Sequence, residues 1–432
     1  MRRFKGALMI LLKIGLAIVL VLVVVNAGLK YFWGRRVESQ IAGIKAKGQP
    51  VTPADLKAHG IPDAENGAVV YERIFKLMSE SPRPGTPGLG SSKDAMDFLS
   101  IVKMTPAELK KHPDLLAMAR RVISQNKEAF ALVQDAQSRP KCRFATNWEA
   151  GPAVYLPHNI AKIRGLTRLL ATRAVVDAQD GRMDDAVQSL DQAFKINESL
   201  KDEPTVLLLL VRIATLRISS RALKTVASYQ SLNERQAKQL YDTISAVDLN
   251  RAYASAMVTE RVLGMRGFEM FKSGFPAVMR YGNEAAYLDL ANKQIAGANL
   301  SYREAKSSGL LDPGQVPVYA YMVGMLAPVF VKANTARYLL AAELAQTQVF
   351  LAAQAYRARF GSYPRGLDEL KSRLGWELPL DPFSERDLVY IRRGNGFILY
   401  SIGPDMKDNG GRVEMKGGFP PTSGDIVLRW ER

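Results

Sequence analysis

The chain has 432 residues, 47% of them apolar and 23% charged, which is enough to build two or three domains with their own cores. Its 59 lysines and arginines outnumber 42 acids and leave a net charge of +17, an excess that favours anionic neighbours such as lipid headgroups, nucleic acid or acidic proteins. The basic residues are scattered, without a dense Lys/Arg block or aromatic–basic interleaving, so a solvated basic surface is the simpler reading and nucleic acid is disfavoured as a partner. Cys142 is the only cysteine, which excludes an internal disulfide and a cysteine-based metal cluster.

Residues 7–29 form the one membrane-spanning candidate, close to the 20 or so residues that a bilayer core demands. Lys13 is the single charge inside it and lies near one end, where its stem can snorkel. Arg2, Arg3 and Lys5 precede the span and place the N-terminus in the cytoplasm, with the bulk of the chain outside; Arg35 and Arg36 on the other side oppose that orientation but precede a long domain. The run is longer than the core of a cleaved signal peptide and no small-x-small site follows it, so an uncleaved anchor is expected over residues 1–36. Tyr31, Phe32 and Trp33 form an interfacial aromatic belt just past it.

A juxtamembrane helical segment is expected over 37–114, starting with a short helix at 37–47. Thr52-Pro53-Ala54-Asp55 reads as a helix start with a capping box, and the string nearly recurs as Thr105-Pro106-Ala107-Glu108. His59 and His112 fall at the same offset in each copy. Paired histidine ligands are one reading, and a cation near the end of a short helix is the plainer one. Prolines and glycines crowd residues 79–92, as in a surface loop or linker. From about residue 115 to 273 apolar residues recur at helical spacing, and residues 115–332 are expected to be an α-helical domain. Asn233 with Gln236 supplies a further capping box. The glycine turn at Gly181, followed by Ala186, Leu190, Ala193 and Ile196, resembles the second helix of a tetratricopeptide repeat, although no 34-residue periodicity accompanies it. Residues 316–331 are apolar but interrupted by Pro317 and Pro328. They read as a buried connecting helix, with a membrane-contacting segment as the alternative.

The last hundred residues carry the most specific pattern. A helix-like run at 333–360 leads into Gly361-Ser362-Tyr363-Pro364, then Leu378, Asp381-Pro382-Phe383, a strand ending Leu399-Tyr400-Ser401-Ile402-Gly403-Pro404-Asp405, and Asp408-Asn409-Gly410-Gly411 with a later Gly424-Asp425-Ile426. In order and spacing this resembles the C-terminal part of the major pseudopilin of type II secretion systems, over about a quarter of the chain. The resemblance implies, for residues 333–432, an α+β module in which a long helix packs on a small antiparallel sheet. It also implies a calcium ion in the last loop, carried over to Asp405 and Asp425, with Asp408 and Asn409 nearby in a glycine-rich setting that suits a hard cation. Two departures stand out. The matching helix lies more than 300 residues into the chain without a prepilin-peptidase site, and the insertion between Arg412 and Ser423 is long for that family.

No P-loop, dinucleotide fingerprint or EF-hand is present, and none of His59, His112 and His158 sits in a catalytic motif. The expectation is therefore a mostly α protein with a C-terminal α+β module. It would be anchored in the inner membrane of a bacterium, with its bulk periplasmic, and act through protein partners in the envelope rather than as an enzyme, in association with a secretion or pilus-like assembly. The alternatives are an envelope enzyme and a basic protein binding anionic lipid or nucleic acid.

Overall fold

The computed structural model describes residues 2–56, 61–79, 98–146, 148, 159–201, 205–270, 276–312, 314, 317–413 and 423–431. The first helix, α1 (Arg2–Ala46), runs unbroken for 45 residues, roughly 68 Å at 1.5 Å per residue. Its apolar side chains from Leu12 to Leu29 are exposed, and by length and composition this helix is able to cross a membrane. The sequence suggests a break before residue 37, but Gly34 alone does not supply one. The helix continues because its distal turns are gripped by the body. Val37 and Ile44 are buried among Val51, Met265, Ala285 and Leu288, and Arg36 and Gln40 both reach Asp289, at 2.8 and 2.6 Å.

Most of the remaining chain is helical: α2 (Gly67–Ser79), α3 (Pro106–Leu109), α4 (Pro113–Gln125), α5 (Lys127–Ser138), α6 (Ile160–Gln179), α7 (Met183–Ser199), α8 (Val206–Tyr229), α9 (Glu234–Ser245), α10 (Leu249–Met270), α11 (Ala277–Ala296) and α12 (Tyr302–Ser307). Local signals account for several starts. The Thr105/Glu108 and Asn233/Gln236 capping boxes form, with side chain and backbone satisfied in both directions. Thr52 and Asp55 bond reciprocally as expected, around a 3₁₀ turn at Pro53–Leu56. Gly181, at φ +79°, turns the chain between α6 and α7, and Ala186, Leu190, Ala193 and Ile196 are all buried in the pair that results. His112 is exposed at the start of α4, while His59, His158 and residues 80–92 lie outside the described residues.

The longest element after α1 is α13 (Tyr321–Phe360), 40 residues. It fuses the two segments that the sequence separates at 332/333. Pro328 removes one backbone bond, to the Gly324 carbonyl, yet Val323, Ala327, Phe330 and Val331 are buried on either side and hold the helix through the defect. The helix ends where Gly361 takes φ +78° and donates to the Arg357 carbonyl. After α14 (Leu367–Leu374), strands β1 (Val389–Arg393), β2 (Gly396–Ser401) and β3 (Ile426–Trp430) form one antiparallel sheet in the order β1-β2-β3. Val389 pairs with Tyr400, and Tyr400 with Val427. The sheet packs on α13, with the Phe350 and Trp430 rings 4.7 Å apart and edge to face. A single apolar cluster runs from Ala68 in α2 to Trp430 in β3, so helical body and sheet share one core.

Candidate functional site

The three aspartates singled out in the sequence do meet, in the crossing of residues 403–411 with 423–425. Gly403 makes the crossing possible. It sits at φ +71°, and a Cβ there would lie 2.0 Å from the Gly424 carbonyl oxygen. Asp405 accepts from the Gly424 and Lys407 amides, both at 3.1 Å, and from the Asn409 side chain at 3.3 Å. Asp425, itself buried, accepts from the Asn409 amide at 3.2 Å and the Gly411 amide at 2.7 Å. Asp408 accepts from the Tyr400 hydroxyl at 3.0 Å and the Gly410 amide at 2.8 Å. Burial acts to raise Asp405, but the Gly424 and Lys407 amides overcome it and hold the carboxyl below its ordinary range. Burial wins at Asp425 and pushes it up, against the same kind of amide bonds. The Tyr400 phenol is pushed up to about 12 by burial and by the Asp408 carboxylate beside it.

A calcium ion needs six to eight converging oxygens. Here the carboxylates face N–H and O–H donors, and no group of three or more Asp, Glu, His or Cys among the described residues is arranged to hold a metal. Among the described residues, the loop as arranged does not fit the ion. It is closed by hydrogen bonds.

The same crossing forms one wall of a groove of about 500 Å³. Residues 423–427 and Val413 line it on one side, α13 contributes Leu339, Glu343 and Gln346, and α8 contributes Arg217, Ser220, Arg221 and Lys224. These α8 residues recur at i, i+3, i+4 and i+7 and share one helix face. Arg217 is paired with Glu343 in a two-pronged contact at 2.8 Å. Arg221 and Lys224 have no carboxylate within ion-pair distance among the described residues. Burial holds the Lys224 amine below the ordinary lysine range; Glu343 pulls it back up and Arg221 lowers it further. The Ser220 hydroxyl is buried and makes no hydrogen bond, and Ser423 Oγ across the groove is likewise unpaired. Two other grooves, of about 430 and 630 Å³, adjoin residues 375–382, and neither is lined by an unpaired buried polar atom.

Sequence reasoning reached the aspartates and missed this basic face. Only the cations themselves were legible. Helix α8 spans 24 residues with Arg212, Arg217, Arg221 and Lys224 and not one acid to balance them. Two further hubs were also missed. Tyr363, read only as part of the Gly361–Pro364 motif, is buried, and its oxygen accepts from Trp430 Nε1 (2.7 Å), Gln354 (3.0 Å) and Arg357 (3.2 Å). Asp381 is a buried carboxylate that accepts from the Ser401 and Ser384 hydroxyls and the Phe383 and Ile402 amides. Phe383 is buried against Tyr302.

No family model, characterised protein or solved structure matches the chain.

Proposed function

We propose that this protein is a membrane-anchored, extracytoplasmic interaction module whose α8/α13 groove takes an acidic segment of a partner polypeptide. The observation that carries the reading is the buried, unbonded Ser220 hydroxyl in one open groove with Arg221 and Lys224, which have no carboxylate within ion-pair distance among the described residues. A half-buried cation and a buried unbonded hydroxyl each cost free energy in the empty state. A carboxylate docked between them and Arg221 removes both costs and gains charge-assisted hydrogen bonds, each about 1.5–3 kcal/mol. Arg221 and Lys224, without an ion pair among the described residues on the groove face of α8, and the net charge of +17 favour the same class of ligand.

The exposed apolar span of α1 supports the anchor, and Arg2, Arg3 and Lys5 before it support a cytoplasmic N-terminus with the body outside. The C-terminal motifs that resemble a major pseudopilin, together with the long helix on a small antiparallel sheet, support a partner within a secretion or pilus-like envelope assembly. That last step rests on analogy of fold and motif. Calcium has no part in this reading, because the carboxylates it would need are already bonded.

The test is selection from a displayed random-peptide library on the full chain in lipid nanodiscs. Enrichment of acidic sequences, lost in the Arg221→Ala/Lys224→Ala double variant, is expected. Selection that is indifferent to acidic residues, or unchanged by the double variant, would sink the proposal.

One observation favours a second reading. Ser220 and Lys224 line the same groove four residues apart on α8 and are residue types that serve as nucleophile and base, with Ser220 Oγ making no hydrogen bond in this structure. In a hydrolase, Lys224 would take the Ser220 proton as the oxygen attacks an acyl carbon and return it to the departing group. Ser220→Ala separates the two readings: it abolishes turnover of a p-nitrophenyl ester if the pair is catalytic, and weakens peptide binding only a few-fold if it is not.

A further inference from the structure

The face of α13 that points away from the body is apolar for its first three turns. Tyr321, Met325 and Val329, at i, i+4 and i+8, are 40%, 66% and 47% exposed, and Leu326 beside them is 38% exposed. No charge appears in the helix until Lys332. A helix face that meets water normally carries charge, and a contiguous apolar patch on a surface marks something that covers it.

What covers it follows from where it sits. Trp33 of α1 packs on Tyr319, ring centroids 5.0 Å apart, and both lie against Gly282 of α11. Further along α1, Arg36 and Gln40 meet Asp289 of α11, so the two helices run side by side in the same direction. Helix α13 keeps the same direction and pace. Met322 bonds to Asn283, Asn334 to Gln294, and Arg337 to the Ala298 carbonyl. The start of α13 therefore lies level with Trp33, only four residues, roughly 6 Å, beyond Leu29, the last exposed apolar residue of the α1 span. Met279, 37% exposed in the first turn of α11, lies lower still, about three residues nearer the span.

We propose that this face is a second membrane contact: the first turns of α11 and α13 rest in the headgroup layer beside the α1 anchor, with Trp33, Tyr319 and Tyr321 at the interface. Tyrosine and tryptophan suit that layer because an apolar ring and a polar tip are both satisfied there. The contact goes beyond the proposed function, since it fixes the tilt and height of the groove above the bilayer, and it does not depend on which side of the membrane the body occupies.

The experiment uses the full chain in vesicles of phosphatidylcholine and phosphatidylglycerol, with an environment-sensitive fluorophore on a new cysteine at Met279→Cys, Met325→Cys or Arg393→Cys. Cys142 is buried and does not compete for label. Arg393, at the β1–β2 turn, is exposed, and its sheet packs on the far half of α13, so it serves as the water-facing control. Nitroxide-bearing lipid is expected to quench the labels at 279 and 325 several-fold more strongly than the label at 393, with 279 the deeper of the two. A label at 325 that is no better quenched than the one at 393 overturns the proposal. A label at 325 that is blue-shifted yet unquenched by lipid also overturns it, and assigns the face to protein, a second copy of this chain being the first candidate. Thermal melting of each labelled chain separates a null result from a misfolded one.

Discussion

Asp381 offers the sharpest test of how the terminal module is held to the body. Its carboxylate is 1% exposed and takes four hydrogen bonds: Ser401 Oγ at 2.7 Å, the Phe383 amide and Ser384 Oγ at 3.1 Å, and the Ile402 amide at 3.2 Å. It ties the 381–386 turn to the end of β2, and Phe383, which seats against Tyr302 of α12, depends on that turn. In Asp381→Ala the two hydroxyls can rotate toward other acceptors, but the two amides cannot. Each buried amide left without an acceptor costs about 1–3 kcal/mol. Relief from burying a carboxylate returns part of this, so the net loss is about 3 kcal/mol. Native-state hydrogen exchange read by mass spectrometry is the suitable assay, because it reports local opening without requiring the whole chain to unfold in two states. A loss of about 3 kcal/mol lowers protection of residues 381–386 and of the β2 end by on the order of 100-fold. Asp381→Asn, which keeps one acceptor oxygen, lies between the variant and the wild type. If protection in Asp381→Ala stays within a factor of about three of wild type, the hub is not holding the module and the argument fails.

Three further outcomes follow from the loop. Gly403→Ala places a Cβ 2.0 Å from the Gly424 oxygen at φ +71°, so it costs at least about 2 kcal/mol and loosens exchange across both 403–411 and 423–425. Chelators leave exchange in that loop unchanged, because hydrogen bonds rather than an ion close it; a slowing of exchange on adding calcium would contradict the assignment. The two aspartates respond oppositely to acid. Asp405, held below 3.8, stabilises the loop above that value and loses this as pH falls through its folded pKa. Asp425, held above 3.8, favours its protonated form, so its contribution is lost as pH rises from 3.8 through its folded pKa. Loop stability against pH therefore flattens on the acid side in Asp405→Asn and loses the opposite slope in Asp425→Asn. Identical profiles in the two variants would show that neither shift is real.

Local rules made a good part of this fold legible. The apolar span, the Thr105 and Asn233 capping boxes, the Gly181 turn and the Asp381-Pro382-Phe383 turn are each written in a few adjacent residues, and each forms. What stayed hidden depends on contacts far apart in sequence. The extent of α1 is set by α11, some 250 residues later, through Asp289; Gly34 could not announce that. Pro328 reads as an interruption of the connecting helix, and only burial on both sides shows that the helix carries through it. Tyr363 sits in a turn by sequence and becomes a hub because Trp430, 67 residues later, donates to it. The groove is the clearest case. Helix α8 reads as a buried apolar helix with stray cations, and those cations become a binding face only where α13 and residues 423–427 come alongside.

The groove's claim rests on Lys224, and the pH dependence of binding addresses it most directly. An acidic peptide selected on the full chain in nanodiscs is titrated against wild type and Lys224→Arg across the alkaline range. With its amine held below 10.5 in the empty groove, wild type is expected to lose affinity as pH rises through that lowered value, earlier than an ordinary lysine would allow. Lys224→Arg keeps its charge and is expected to bind with little change over the same range. An affinity in wild type that stays flat until the ordinary lysine range, or a decline shared equally by Lys224→Arg, would contradict the account.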